Sequence, residues 1–257
     1  MEARTILLDQ ADGILTVTLN RPEILNALDL PQWEALTQAF ERARDDTTIR
    51  ALVISGAGRA FSAGADINSM QARGADEQID RLAPINRAVR LLAALPKPTI
   101  AAVNGIAAGV SASLSLACDL AVAAEGASFT FSWIRLGLVA DGGGSWLLTR
   151  LVGPRRAKEL IMTARRIAAA EALAWGLVNE VVADGQALAR AQNLAHELSA
   201  HSALALRLDK VLIDECAATL DEQLAAESRA QAECVQTEEF RAAVTAFLSK
   251  RRSSRRD

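Results

Sequence analysis

Apolar, partly β-branched runs occupy residues 5–8 and Ile14–Leu19, with Asp12 and Gly13 between them. An Asp-Gly pair between such runs favours a left-handed turn, so the chain is predicted to open on a two-stranded hairpin. Asp29 can cap a helix with Pro31 near its start, and Trp33, Leu36, Phe40 and Ala43 then recur at helical spacing. Residues 51–54 form a continuous apolar run, read as a buried strand ended by Ser55, Gly56, Ala57 and Gly58. A helical pattern fills residues 76–95, and Pro96 and Pro98 stop it. Thr99–Val103 is the next strand, turned by Asn104 and Gly105. A small-residue helix over 109–117 and a strand over 120–123 follow. Strands alternating with helices predict an α/β class with helices covering the sheet.

The pattern changes after Val182. Residues 186–248 are almost entirely helical in period, with charges spread around each helix. This predicts a core over residues 1–185 and a helical region over 186–257, the latter suited to oligomer contacts. Residues 250–256 carry five Lys and Arg, and those beyond 252 read as a solvated terminus.

Composition removes several function classes. The 257 residues are 51% hydrophobic and 23% charged, enough for a large core without a metal or disulfide staple. A net charge of −3 offers no positive field for nucleic acid, and 4% aromatics without tyrosine supply few stacking platforms. Cys118, Cys216 and Cys234 are widely spaced, which fits a reducing compartment. The first residues lack a signal-peptide layout, and the most apolar stretch is interrupted by Asn104, Gly105 and Asp119. A soluble, cytoplasmic protein is expected, with no membrane and no nucleic-acid partner.

His196 and His201, five apart, do not share a helix face, so no metal site is expected. Ser111, Asp141 and His196 follow the chain order of a hydrolase triad, but a serine cluster in a tight helix more often serves close packing. Gly56 and Gly58 follow a strand, yet Phe61 stands where a dinucleotide fingerprint needs a small residue.

Three glycine-containing segments remain. Residues 61–67 and 104–110 each follow a predicted strand, and small residues let backbone approach a ligand. Gly109 sits where a helix should begin, so free N–H groups there suit an anionic oxygen. By pattern alone both are tight strand-to-helix turns. In residues 136–146, Asp141 follows an apolar run and precedes three glycines. A carboxylate against apolar neighbours has its pKa raised, as a proton shuttle near neutral pH requires. By pattern alone it is a turn aspartate.

Taken together, residues 19–28, 61–67, 97–109, 136–146, 150–153, 172–178 and 246–251 resemble the enoyl-CoA hydratase/isomerase (crotonase) superfamily in order and spacing. The resemblance implies a crotonase-like spiral of ββα units with a C-terminal helical oligomerisation region, and a homotrimer or dimer of trimers. It implies an acyl-coenzyme A thioester as substrate and no separate cofactor. The oxyanion-hole amides fall on Ala63 and Val110. Ala27, Ala65, Asp66 and Ile67 would lie near the CoA adenine, Phe247 and Lys250 would reach CoA, and Trp133 would line the acyl pocket.

Departures from the pattern bear on the reaction. Hydratases of that family use two glutamates, whose positions fall here on Ser113 and Trp133. Asp141 instead matches the place where several isomerases hold their proton-shuttling acid. Residues 138–148 look most like the ring-1,2-epoxyphenylacetyl-CoA isomerase group. The expectation is an enoyl-CoA isomerase using Asp141. The alternatives are a hydratase with a non-standard acid/base set, an aryl-CoA dehalogenase with Asp141 as nucleophile, and a non-catalytic acyl-CoA- or RNA-binding member. The dehalogenase pattern wants a base histidine where Asn86 stands.

Overall fold

The computed structural model describes residues 5–69 and 74–253, with side chains through residue 248. The chain divides into two compact units, Met1–Leu198 and Ser199–Asp257.

The first unit opens on β1 (Ile6–Ala11) and β2 (Ile14–Leu19), paired antiparallel from Ile6 opposite Leu19 to Ala11 opposite Ile14. Asp12 and Gly13 both take positive φ, 49° and 79°, the mirror-image turn that the Asp-Gly pair predicts. Helix α1 (Leu30–Asp45) starts at Asp29, whose carboxylate accepts from the Gln32 amide while Gln32 reaches back to the Asp29 amide. Lys97 Nζ donates to the carbonyls of Ala43 (2.6 Å) and Asp46 (2.7 Å), closing the far end of that helix.

Three turns of one unit then follow. β3 (Ala51–Gly56), β4 (Ala60–Ser62) and α2 (Ala75–Ala93) make the first. β5 (Thr99–Val103), β6 (Ile106–Ala108) and α3 (Val110–Leu116) make the second. β7 (Leu120–Ala124), β8 (Ser128–Thr130) and α4 (Gly144–Thr163) make the third, and α4 is kinked at Gly153 ahead of Pro154. β9 (Arg166–Ala168), α5 (Ala169–Ala174), β10 (Glu180–Val182) and α6 (Ala187–Ser199) complete the run. Each turn gives one strand to a six-stranded sheet, β1-β2-β3-β5-β7-β10, and one to a four-stranded sheet, β4-β6-β8-β9. β2 through β10 pair parallel in the first, β4, β6 and β8 in the second; β9 runs antiparallel to β8.

Both faces of the central strands β2, β3, β5 and β7 are covered, which is why they read as largely apolar runs. Leu15, Val17, Leu52, Ile54 and Val103 join the cluster that holds Trp33, Leu36 and Phe40 of α1. The alternate residues Ile14, Ala51, Val53, Ile100 and Val122 pack with Ala191 and Ala195 of α6. That alanine stripe lets α6 lie against the sheet, so the compact unit ends at Leu198, one helix beyond the compositional change expected at residue 185. The second unit contains α7 (Ala203–Glu215), α8 (Leu220–Cys234) and α9 (Glu238–Ser253), with a capping box of Thr219 and Glu222 opening α8. No helix among the described residues is long and apolar enough to cross a membrane.

Asn26, fully buried at φ 56°, ties the entry of β4 to the hairpin. Its Nδ2 donates among the carbonyls of Ala57 (2.9 Å), Ala60 (2.8 Å) and Phe61 (3.2 Å), and its Oδ1 accepts from the Arg21 amide (2.9 Å). Asn26→Ala strips partners from several buried groups and is expected to cost about 3 kcal/mol in urea unfolding. A loss under about 1 kcal/mol would mean that water takes over these bonds.

Candidate active site

The links from β4 to α2 and from β6 to α3 leave adjacent strands and therefore lie side by side. Ser111 pins them: its hydroxyl donates to the Ser62 carbonyl (2.7 Å) and accepts from the Ala108 amide (3.1 Å). It is a fully buried fastening, and this is the role of the serine that a triad reading would make a nucleophile. Gly64 (φ 95°) and Gly109 (φ 53°) bend the two links. A Cβ on Gly64 would fall 2.6 Å from the Ala108 carbonyl oxygen and 3.8 Å from Gly109 Cα, so only glycine permits this approach.

The backbone donors can be counted one by one. Ala63 N–H donates to the Leu25 carbonyl at 2.8 Å, and Gly64 N–H to Ser62 Oγ at 3.1 Å. The expected oxyanion donor at Ala63 is therefore already engaged. Leu28 forms an isolated parallel bridge opposite Ala65: its amide binds the Gly64 carbonyl (2.7 Å) and its carbonyl the Asp66 amide (2.8 Å). In such a bridge the central residue's own N–H points away from the partner strand. Among the described residues, no acceptor takes the amides of Ala65 or Val110. Each follows a positive-φ glycine, and a Cβ on Gly64 would lie 3.8 Å from Gly109 Cα. Sequence supplied the glycines but not the direction of the amide after each one.

Asp141 stands at the third link, between β8 and α4. A short 3-10 turn over Trp133–Leu136 carries Trp133, whose indole Nε1–H donates to Asp141 Oδ1 at 2.8 Å. The Asp141 carbonyl accepts from Ser113 Oγ (3.1 Å) and from the Gly144 amide (2.9 Å). Gly142 and Gly143 follow at φ 54° and 75°, and a Cβ on Gly142 would lie 2.8 Å from Val110 Cγ2. Trp133 Nε1 is 3.9 Å from where a Gly109 Cβ would be. The carboxylate, the indole and the Val110 amide thus share one small region. Burial pushes the Asp141 carboxyl above the ordinary carboxylate range; the Trp133 hydrogen bond and the charge of Arg81 pull it partly back.

The remaining expected positions are distributed. Asp66 is largely buried and its carboxylate faces Arg21 (3.2 Å), which also holds Asp29 (3.0 Å), so its side chain braces the loop. Ala27 is buried and its carbonyl accepts from Arg21 (3.2 Å), whereas Ile67 is 64% exposed. Phe247 is 65% exposed on α9, and the Lys250 side chain lies outside the described residues. Asn86 is on the exposed face of α2. Arg81, a charged residue whose type alone would place it at the surface, is buried near Asp141.

The spiral of ββα turns is the crotonase fold: an enoyl-CoA hydratase from Polaromonas sp. JS666, solved as a crystal structure, superimposes with a TM-score of 0.91 at 37% identity, over 95% of this chain and 97% of that one. Residues 9–256 match the family described as Enoyl-CoA hydratase/isomerase. The 1,2-epoxyphenylacetyl-CoA isomerase of Escherichia coli (strain K12) is 39% identical over 251 residues, 93% of each chain. The short-chain-enoyl-CoA hydratase of Clostridium acetobutylicum is 36% identical over 256 residues, 98% of this chain and 97% of its own. This chain belongs to the enoyl-CoA hydratase/isomerase (crotonase) superfamily and is an acyl-CoA enzyme.

Proposed function

We propose that the protein is an enoyl-CoA isomerase in which the Ala65 and Val110 amides hold the thioester oxygen and Asp141 moves the proton. The observation that carries this reading is the half-buried Asp141 carboxylate, raised in pKa and bonded to Trp133, beside the free Val110 amide. Asp141 takes a proton from one end of the allylic system. The electron pair moves onto the thioester oxygen, where two amides stabilise it. The protonated Asp141 returns the same proton two carbons away. One carboxylate balances the reaction, and neither water nor a second acid is consumed. Ser113 and Trp133, at the positions of the two hydratase glutamates, cannot activate water in their place. Ile67, Phe247 and Lys250 are assigned to CoA. A homotrimer or dimer of trimers is proposed, supported by exposed apolar residues of the second unit such as Ile213, Leu220 and Phe247.

Incubation with a 3-enoyl-CoA and, separately, a 2-trans-enoyl-CoA tests the reading. Conversion of the first to an isobaric 2-enoyl product is expected. A mass gain of water on the second as the main reaction would overturn it in favour of hydration.

The pH profile gives a second check. An ionised base is needed, so kcat/KM falls on the acid side as Asp141 gains a proton, above the ordinary carboxylate range. Trp133→Phe removes a donor that favours the ionised form, so this limb is expected to move to higher pH. A limb that stays fixed would detach Trp133 from the titration.

A further inference from the structure

Helix α2 turns Arg81, Ile85, Val89 and Leu92 inward. Val89 Cγ1 lies 3.8 Å from where a Cβ on Gly143 would be, and Ile85 Cγ2 lies 3.8 Å from the same point at Gly142. These two residues are one turn apart and meet consecutive loop residues. Arg81 is one further turn along the same face, which brings it to the Asp141 end of the loop. It is only 8% exposed. Among the described residues its guanidinium has no hydrogen-bond acceptor and no carboxylate within the 4.0 Å of an ion pair. Among the described residues no side-chain nitrogen sealed from solvent lacks a partner, so the unbonded guanidinium keeps some contact with accessible space.

A buried guanidinium presents five fixed donors and stays charged. Leaving it unmatched is costly, and an apolar residue would fill the same volume without that penalty. The arrangement lacks a planar anionic acceptor, for which a carboxylate is the natural complement. Asp141 lies beyond ion-pair distance and is committed to Trp133.

We propose that Arg81 is a specificity-determining residue that receives a carboxylate on the acyl group, so that the substrates are half-thioesters of unsaturated dicarboxylic acids. This rests on the reading of the Asp141 region as the acyl site. The test is calorimetric binding of two saturated, unreactive five-carbon esters, glutaryl-CoA and pentanoyl-CoA, to the full-length protein. The native protein is expected to bind glutaryl-CoA at least about tenfold more tightly, the scale of a charged hydrogen-bonded pair. Arg81→Met should abolish the preference while leaving pentanoyl-CoA affinity within about twofold, and Arg81→Lys should keep part of it. Equal affinity of the native protein for both esters would overturn the proposal, whether or not the variants fold. So would an equal loss for both esters in Arg81→Met, which would leave Arg81 acting only through packing or on Asp141. Neither ester undergoes proton transfer, so this outcome is separate from the isomerase assignment, whose failure would show as turnover retained without Asp141.

Discussion

Asp141→Asn is expected to lower turnover of a 3-enoyl-CoA by about 10²–10⁴-fold, the usual contribution of a positioned acid–base group. Affinity for an unreactive acyl-CoA should stay within about threefold, because the amide oxygen can still accept from Trp133 and the loop is held through the Asp141 backbone. The same substitution should stabilise the protein at neutral pH. The folded-state pKa of Asp141 is raised, chiefly by burial. Its contribution to stability is therefore fully present below the ordinary aspartate pKa and is lost as pH rises through the elevated folded value. At pH 7 the ionised carboxylate opposes folding and the neutral amide does not. Urea midpoints at pH 7 and in mild acid check this: the variant's advantage should shrink as the native carboxyl protonates. Retained turnover in Asp141→Asn would remove the residue from the mechanism outright.

Gly64→Ala carries the other large effect. The added methyl would sit 2.6 Å from the Ala108 carbonyl at a φ of 95°, so the two amide-bearing links must separate or twist. Misplacing one oxyanion donor costs about 10²–10³ in kcat, and that is the loss expected. Gly176→Ala is the control. Gly176 has a positive φ of 78° but open space around its missing Cβ, so it shares the backbone strain without the clash. The control should lose stability and keep kcat. An equal fall in kcat for both variants would assign the effect to general destabilisation.

Sequence periodicity exposed most of the larger sheet because β2, β3, β5 and β7 run five or six residues and are buried on two faces, whereas β10 has only three residues. It missed the smaller sheet. β4, β6, β8 and β9 have three residues each, too few to display a period, and they hide among loop residues such as Gly105 and Asn104. The Asp29 cap and the Asp12-Gly13 turn were legible because their chemistry is local. The donor of the first link was not. Whether Ala63 or Ala65 turns its amide outward depends on the bridge to Leu28, thirty-odd residues away in sequence. Asp141 was visible through its apolar and glycine neighbours and the family resemblance. Arg81 was not, since its charge argues for an outward position although its spacing from Ile85 and Val89 puts it on the inward face of α2.

The stacking of three ββα turns also implies a division of labour that bears on how such chemistry can diversify. The two free amides belong to the first and second turns, and they are main-chain atoms indifferent to side-chain replacement. Asp141, the proposed proton-moving group, belongs to the third turn, on a separate link followed by three glycines. On this reading, changes at Asp141 and Trp133 in the third turn and at Ser113 in the second swap one reaction for another while the main-chain amides persist unchanged. Relatives of nearly equal similarity bearing isomerase and hydratase names are what a scaffold with one fixed and one exchangeable ledge would produce.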